Sequence, residues 1–151
     1  MNQLRPSADI SDFSNDFECG DASEVLSVTR LLARQFTEQA PVKWPHADVQ
    51  NVLCTIRRGV QSMPELAEVY NEKFGADWPG FSDLVNNIEE ITERAVRALN
   101  VLIELFGYLK PVPLDNNAIN AVLNSVASDI SRAIQLVVDY SAEIEHTEAK
   151  S

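Results

Sequence analysis

Hydrophobic residues in the second half of the chain recur at alternating intervals of three and four positions. One stripe runs from about Ser82 to Leu109 and a second from about Asp115 to His146. This spacing places the apolar side chains on one face of an α-helix and is typical of helices that pack side by side. Because only the short segment Lys110-Pro111-Val112-Pro113 separates the two stripes, the sequence predicts a long antiparallel helical hairpin.

Shorter helical patterns precede this hairpin. The first begins at Asp21 and has its stripe at Val25, Val28, Leu32 and Phe36, and the second spans Val49 to Val60. The third is predicted to begin at Ser62, which with Glu65 resembles a capping box, and to end at Gly75; its stripe is Leu66, Val69, Tyr70 and Phe74. The expected fold is therefore all-α: a four- or five-helix bundle built on the long hairpin, with one domain over residues 21–146 and a disordered end at 147–151.

Residues 1–20 are rich in Ser, Asp and Asn, and we expect them to form an acidic flexible tail. Within this segment Ile10, Phe13 and Phe17 are spaced as one face of a short helix. Two outcomes remain open for this apolar stripe. It either docks on the protein's own core or forms a linear motif that folds on a partner.

One end of the predicted hairpin is almost free of charge. Residues 98–109 contain Glu104 as their single charged residue, and residues 116–128 contain none. A solvent-exposed helix normally carries Lys and Glu. We therefore expect this end to be covered, either by the other helices or by another subunit or partner.

The last predicted helix carries a second, polar stripe. Its members are uncharged and follow the same three-four spacing: Asn117, Asn120, Asn124, Ser128, Ser131 and Gln135. This stripe is either a solvated face or a hydrogen-bonded packing surface, where short neutral side chains let another helix approach closely. The sequence thus offers Asn117, Asn120, Asn124 and Ser128, together with Ile10, Phe13 and Phe17, as candidate partner-binding residues.

The charge distribution narrows the classes of partner. The net charge of the 151 residues is −11, and much of the excess acid lies near the two ends of the chain. A nucleic-acid-binding protein needs a basic face, so direct nucleic-acid binding is not expected. No apolar run is long enough to cross a membrane, no secretory signal is visible, and Cys19 and Cys54 have no zinc-like spacing. These features predict a cytoplasmic protein with no cofactor.

A carboxylate motif offers an enzymatic alternative. Residues Glu89-Glu90-Ile91-Thr92-Glu93 have the form EExxE, whose acids share a helix face and could bind Mg²⁺. The motif resembles that of the all-α nucleoside triphosphate pyrophosphatases of the MazG type, over these five residues and in helical character. That resemblance implies a later ExxD on a second helix. Here Asp129 is the nearest candidate, but Val126 stands where the glutamate is required.

The sequence contains no complete metal-binding or catalytic motif, whereas it offers two candidate surfaces for contact with a partner. The function predicted first is a non-catalytic interaction module, such as an inhibitor, immunity-type or adaptor protein, which binds another protein and self-associates as a homodimer. The alternative is a Mg²⁺-dependent all-α nucleotide pyrophosphohydrolase that uses Glu89, Glu90 and Glu93. A Mg²⁺-dependent nucleotide turnover assay separates the two.

Overall fold

A computed structural model describes residues 6–37, 44–108, 112 and 114–149 of the chain. These residues form five α-helices and no β-strand, which confirms the all-α prediction. The helices are α1 (Pro6–Phe17), α2 (Ser23–Gln35), α3 (His46–Phe74), α4 (Phe81–Tyr108) and α5 (Asn116–Ala149). A π-helical turn at Glu18–Ala22 joins α1 to α2, and Gly20 interrupts it with a non-helical ψ of −141°.

The bent unit α1–α2 and the helices α3, α4 and α5 are the four arms of an up-down-up-down bundle. Contacts between neighbours pair early residues of one arm with late residues of the next. The Tyr70 hydroxyl of α3 donates to Asp16 of α1 (2.6 Å), and Gln50 of α3 donates to the Ile103 carbonyl of α4 (3.1 Å). Because α2 and α5 also pack in this antiparallel manner, each arm buries its apolar stripe against two neighbours.

The predicted hairpin is confirmed, with ends one to three residues from those expected. The ring of Phe81 at the start of α4 contacts Tyr140 near the end of α5, as an antiparallel pair requires (centroids 5.6 Å apart). Asp115 caps α5 because its carboxylate accepts a hydrogen bond from the Ala118 amide (2.7 Å). However, α4 packs more extensively against α3 than against α5, so the hairpin is the smaller of the two antiparallel contacts that α4 makes.

The two helices expected between Val49 and Gly75 are one continuous helix, so the predicted break at Ser62 is wrong. The Ser62 hydroxyl bonds the Gly59 carbonyl within the helix instead of capping a new one (2.7 Å). Pro64 lies inside α3, where proline removes a backbone hydrogen bond. Met63 and Ala67 on either side of it are buried in the core, which stabilises the helix through this point.

The expectation of a flexible tail also differs from the structure. Helix α1 and the π-helical turn occupy residues 6–22, and Ile10, Phe13 and Phe17 are all buried in the core. Three large apolar side chains on one helix face gain more from burial than the polar composition of the segment indicates. At the other end, α5 continues through Ala149, beyond the predicted limit of the domain. Residues 1–5 and 150–151 lie outside the described part of the chain.

Seven aromatic side chains surround the docking site of α1. They come from four helices and the turn after α3, and they are Phe13, Phe17, Tyr70, Phe74, Trp78, Phe81 and Tyr140. The Phe13 ring lies 5.0 Å from Tyr70 and 5.2 Å from Phe81 between centroids. The Tyr140 hydroxyl donates to the Pro79 carbonyl (2.8 Å), and burial raises the pKa of Tyr140 to about 12. This cluster joins α1 to the end of the bundle opposite the uncharged end.

The predicted core is correct for α4, whereas two members of the earlier stripes are exposed. Val28 of α2 and Val69 of α3 lie at the surface, and Thr29, which is outside the predicted α2 stripe, is buried. Thr29 satisfies its hydroxyl by donating to the Val25 carbonyl one turn earlier (2.6 Å). The stripes therefore rotate slightly from the expected positions, because 3.6 residues per turn do not fit a strict three-four repeat.

Candidate functional site

The uncharged end of the hairpin is covered on its inner side by the chain's own helices. Leu99, Leu102 and Phe106 of α4 are buried there, as are Ile119 and Leu123 of α5. The Phe106 ring lies 5.7 Å from Phe36, just beyond α2, and 5.4 Å from His46 of α3. The apolar stripes at this end are therefore part of the core, as the first of the two alternatives expects.

The outer side of α5 at the same end remains exposed. Its solvent-facing positions are all small or neutral, and we call them the neutral face: Asn117, Ala121, Asn124, Ser125 and Ser128. The exposed Val101 of α4, with 56% of its surface accessible, is level with this face in the antiparallel register set by Arg94 and Asp129. Exposure without charge over more than three helical turns is unusual in a chain with net charge −11.

Asn120 has a structural role that distinguishes it from the neutral face. Its amide donates to the Ala33 carbonyl at the end of α2 (2.7 Å), and its oxygen accepts from Asn124 (2.8 Å). Asn116 similarly donates to the Thr37 carbonyl (3.0 Å). Part of the polar stripe is thus a hydrogen-bonded packing surface for the chain's own α2. The Ala33 carbonyl also accepts from the Phe36 amide, so the Asn120 amide adds a second hydrogen bond at the end of α2.

The other predicted partner-binding group does not lie at the surface. Ile10, Phe13 and Phe17 are each at most 1% exposed, and they face the aromatic cluster of the same chain. This is the outcome in which the α1 stripe docks on its own core. In this conformation these three side chains do not offer a surface to a partner, whereas Asn117, Asn124 and Ser128 do.

Two acids of the EExxE motif, Glu89 and Glu93, face a second set of acids that the sequence did not place opposite them, whereas Glu90 lines the groove between α4 and α5. Glu89 and Glu93 of α4 line a groove of about 780 Å³ together with Glu65 and Glu68 of α3. The pKa of Glu89 is raised, first because its carboxyl hydrogen-bonds to Glu68, then because it is partly desolvated and repelled by Glu68 and Glu93. Among the described residues, no group of three or more acids, histidines or cysteines is arranged to hold a metal ion.

Asp129, the candidate for the later motif, belongs to a different side of the bundle. It is buried and accepts two hydrogen bonds from the Arg94 guanidinium, at 3.3 Å from Nε and 2.5 Å from a terminal nitrogen. This pairing raises the pKa of Arg94. The guanidinium of Arg94 thus compensates the buried negative charge of Asp129. The structure therefore separates Asp129 from the acids of the α3–α4 groove.

Glu89→Gln is expected to raise the melting temperature at pH 7. The raised pKa means that the folded state favours a protonated carboxyl. The stability from this proton is present below the ordinary glutamate pKa and is lost as the pH rises through the pKa of the folded state. Glutamine keeps the neutral form at every pH, so the gain should disappear in acid. Thermal unfolding from pH 4 to pH 8 measures it.

Glu104→Gln is the matched control for this measurement, since it removes an exposed carboxylate from the same helix and changes the net charge equally. We expect it to leave the pH dependence of the melting temperature unchanged. Equal shifts in both variants would mean that net charge, and not the contact with Glu68, sets the effect.

Several general properties accompany these sites. Cys19 is exposed and Cys54 is partly buried, and both are free thiols. None of the helices in the described ranges combines the length and the hydrophobicity that crossing a bilayer requires.

Comparison of the chain with protein-family models, curated proteins and solved structures gives no match.

Proposed function

We propose that this chain is a non-catalytic protein-interaction module of the inhibitor, immunity-type or adaptor kind, and that it self-associates. The observation that supports this most is the neutral face, an exposed and charge-free surface on the outside of α5. The free thiols agree with a reducing compartment, and we therefore place the module in the cytoplasm.

The chemistry of the neutral face suits close contact between helices. Asn and Ser side chains lose less on desolvation than charged ones and can hydrogen-bond across an interface. Ala121 at its centre lets a second backbone approach, and the exposed Val101 adds apolar area at its edge. Apolar burial contributes about 25 cal/mol per Å², so a moderate contact area favours association.

A second copy of the chain is the partner we propose for this face, related by a two-fold axis near Ala121. Ala121→Arg should then convert the dimer to a monomer, because the axis brings the two arginines together. Ala142→Arg makes the same substitution at another exposed position of α5 and should leave the dimer intact. Sedimentation velocity measures both, and circular dichroism checks that both variants remain helical.

Retention of the dimer in Ala121→Arg would contradict this placement. Asn120 is avoided in the design because its hydrogen bond to the Ala33 carbonyl supports the fold itself. A loss of association in an Asn120 variant would not separate a broken interface from a disturbed α2.

A Mg²⁺-dependent nucleotide pyrophosphohydrolase is the second candidate function. The four glutamates of the α3–α4 groove favour it, because two helices contribute acids to one opening of suitable size: Glu65, Glu68, Glu89 and Glu93. Mg²⁺ is commonly bound by one or two carboxylates together with water and substrate phosphates, and this groove could supply that number. If the interaction module is correct, Mg²⁺ produces no nucleotide hydrolysis. Turnover that is lost in the Glu68→Gln/Glu89→Gln double variant would support the enzyme instead.

A further inference from the structure

We propose that an arginine-lined surface across α2, α5 and α4 binds a carboxylate-rich segment of a partner protein. We call it the arginine strip, and it consists of Arg30 of α2, Arg132 of α5, and Arg94 and Arg97 of α4. This inference rests on the proposed role as an interaction module, but it uses residues outside the neutral face apart from Asn124 and Ser128 at its edge.

Two grooves beside α5 meet at Arg132. The groove between α2 and α5 has a volume of about 510 Å³. Besides Arg30 and Arg132 it is lined by neutral residues, Asn124, Ala127, Ser128, Ser131 and Gln135, and by no acid. The groove between α4 and α5 has a volume of about 620 Å³ and includes Arg94, Arg97 and the same Arg132, with Glu90 as its acid. The four arginines therefore line two adjoining grooves over three helices, and Arg132 is common to both.

The chain's own acids neutralise only part of the positive charge of the arginine strip. Arg94 pairs with Asp129, and Arg97 lies 4.0 Å from Glu93 in a contact exposed to solvent. Within the described ranges, Arg30 and Arg132 have no ion pair and no hydrogen bond. The chain contains 23 acids and 12 basic residues, so Arg30 and Arg132 stay unpaired in the described part of the chain although carboxylates outnumber the basic groups. Unpaired arginines beside neutral hydrogen-bonding groups are the arrangement that an external anion requires.

Carboxylates fit this strip better than a nucleic-acid backbone. Arg94 already binds one carboxylate through two nitrogen atoms, at Asp129. Single-stranded nucleic acids use aromatic side chains for base stacking, and neither groove has an aromatic lining residue. Ser131, which lies outside the neutral face, can also bond a peptide group of a bound segment. The stretch of α5 from Asn124 to Gln135 is about 16 Å long, which matches three turns of a helix or about five extended residues.

Charge far from the strip does not prevent such binding at physiological salt. The Debye length is about 8 Å under those conditions, so exposed acids further away than this act weakly, whereas Glu90, Glu93 and Asp139 lie at the grooves and oppose binding. The interaction should therefore be local and should weaken as salt increases.

The test uses a fluorescein-labelled glutamate decapeptide and the full chain, with anisotropy as the readout at low salt. We expect saturable binding by the wild type and a loss of about tenfold in affinity for Arg30→Gln/Arg132→Gln, the upper range for two exposed ion pairs. The matched control is Arg58→Gln/Lys73→Gln, which removes the same charge from exposed positions of α3. It should change the affinity less than about twofold.

Three results would overturn the inference. The decapeptide fails to bind at low salt, the control loses as much affinity as the strip variant, or an oligothymidylate of equal length binds more tightly than the decapeptide.

The result of this binding experiment is separable from the test of the proposed homodimer. If the wild type is a dimer that ignores the decapeptide, only the strip is wrong. If it is a monomer that binds the decapeptide through Arg30 and Arg132, only the neutral-face contact is wrong.

Discussion

Phe13→Ala is expected to destabilise the fold by about 3–5 kcal/mol, because it removes a fully buried aromatic side chain and leaves a cavity. The ring contacts Phe17, Tyr70 and Phe81, so its loss also weakens the docking of α1 on the bundle. Urea denaturation followed by circular dichroism gives the change in the free energy of unfolding.

Leu31→Ala is the control, because Leu31 is also a large apolar residue of the same bent arm but is 52% exposed. We expect it to cost less than about 1 kcal/mol. A similarly small effect of Phe13→Ala would show that α1 does not dock, and the predicted flexible tail would then be correct.

Trp78→Ala is expected to have a comparable effect, also about 3–5 kcal/mol. Trp78 is the largest fully buried side chain of the described residues, and it stacks on Phe74 at 4.9 Å between ring centroids. It lies in the turn after α3 and also contacts Phe81 at the start of α4, so its loss uncouples the turn from both helices. Equilibrium unfolding of the variant measures the loss.

Trp78→Phe separates packing from hydrogen bonding at this position. The indole nitrogen is buried and has no hydrogen-bond partner among the described residues. Replacement by phenylalanine therefore removes an unsatisfied donor while keeping an aromatic ring. We expect a loss of less than about 2 kcal/mol. Equal losses in the two variants would mean that the indole ring makes contacts that phenylalanine cannot replace.

The long helices were predictable because their signals are local. The α4 stripe from Leu84 to Phe106 is buried as its spacing predicts, and the Asp115 carboxylate caps α5. The start of α4 shows the limit of such signals. Ser82, the predicted start, lies one residue inside α4, and its hydroxyl donates to the Asn71 side chain of the preceding helix (3.3 Å).

The errors arise where distant contacts outweigh local preference. At Pro64 the sequence pattern favours a new helix, yet burial of Met63 and Ala67 in the core stabilises α3 through the proline. In α1 the polar composition favours a tail, but Phe13 meets rings that lie more than 50 residues away in the chain. No pattern within residues 1–20 reveals that those rings form a receiving surface.

The candidate surfaces were predictable to different degrees. An uncharged stretch is visible in a sequence, so the region of the neutral face was identified, although the structural role of Asn120 required the contact with Ala33. The acidic groove was missed because the acids opposite Glu89 were sought on α5, whereas Glu65 and Glu68 of α3 supply them. The arginine strip combines three helices, and no spacing along the chain shows that Arg30 and Arg132 share a groove.

Sedimentation equilibrium of the wild-type chain across a range of concentrations tests the central claim most directly. A self-associating interaction module should approach twice the chain mass of 16.8 kDa as the concentration rises, and Ala121→Arg should remain at the single-chain mass. A wild-type chain that stays at the single-chain mass at the highest concentrations would contradict self-association through the neutral face.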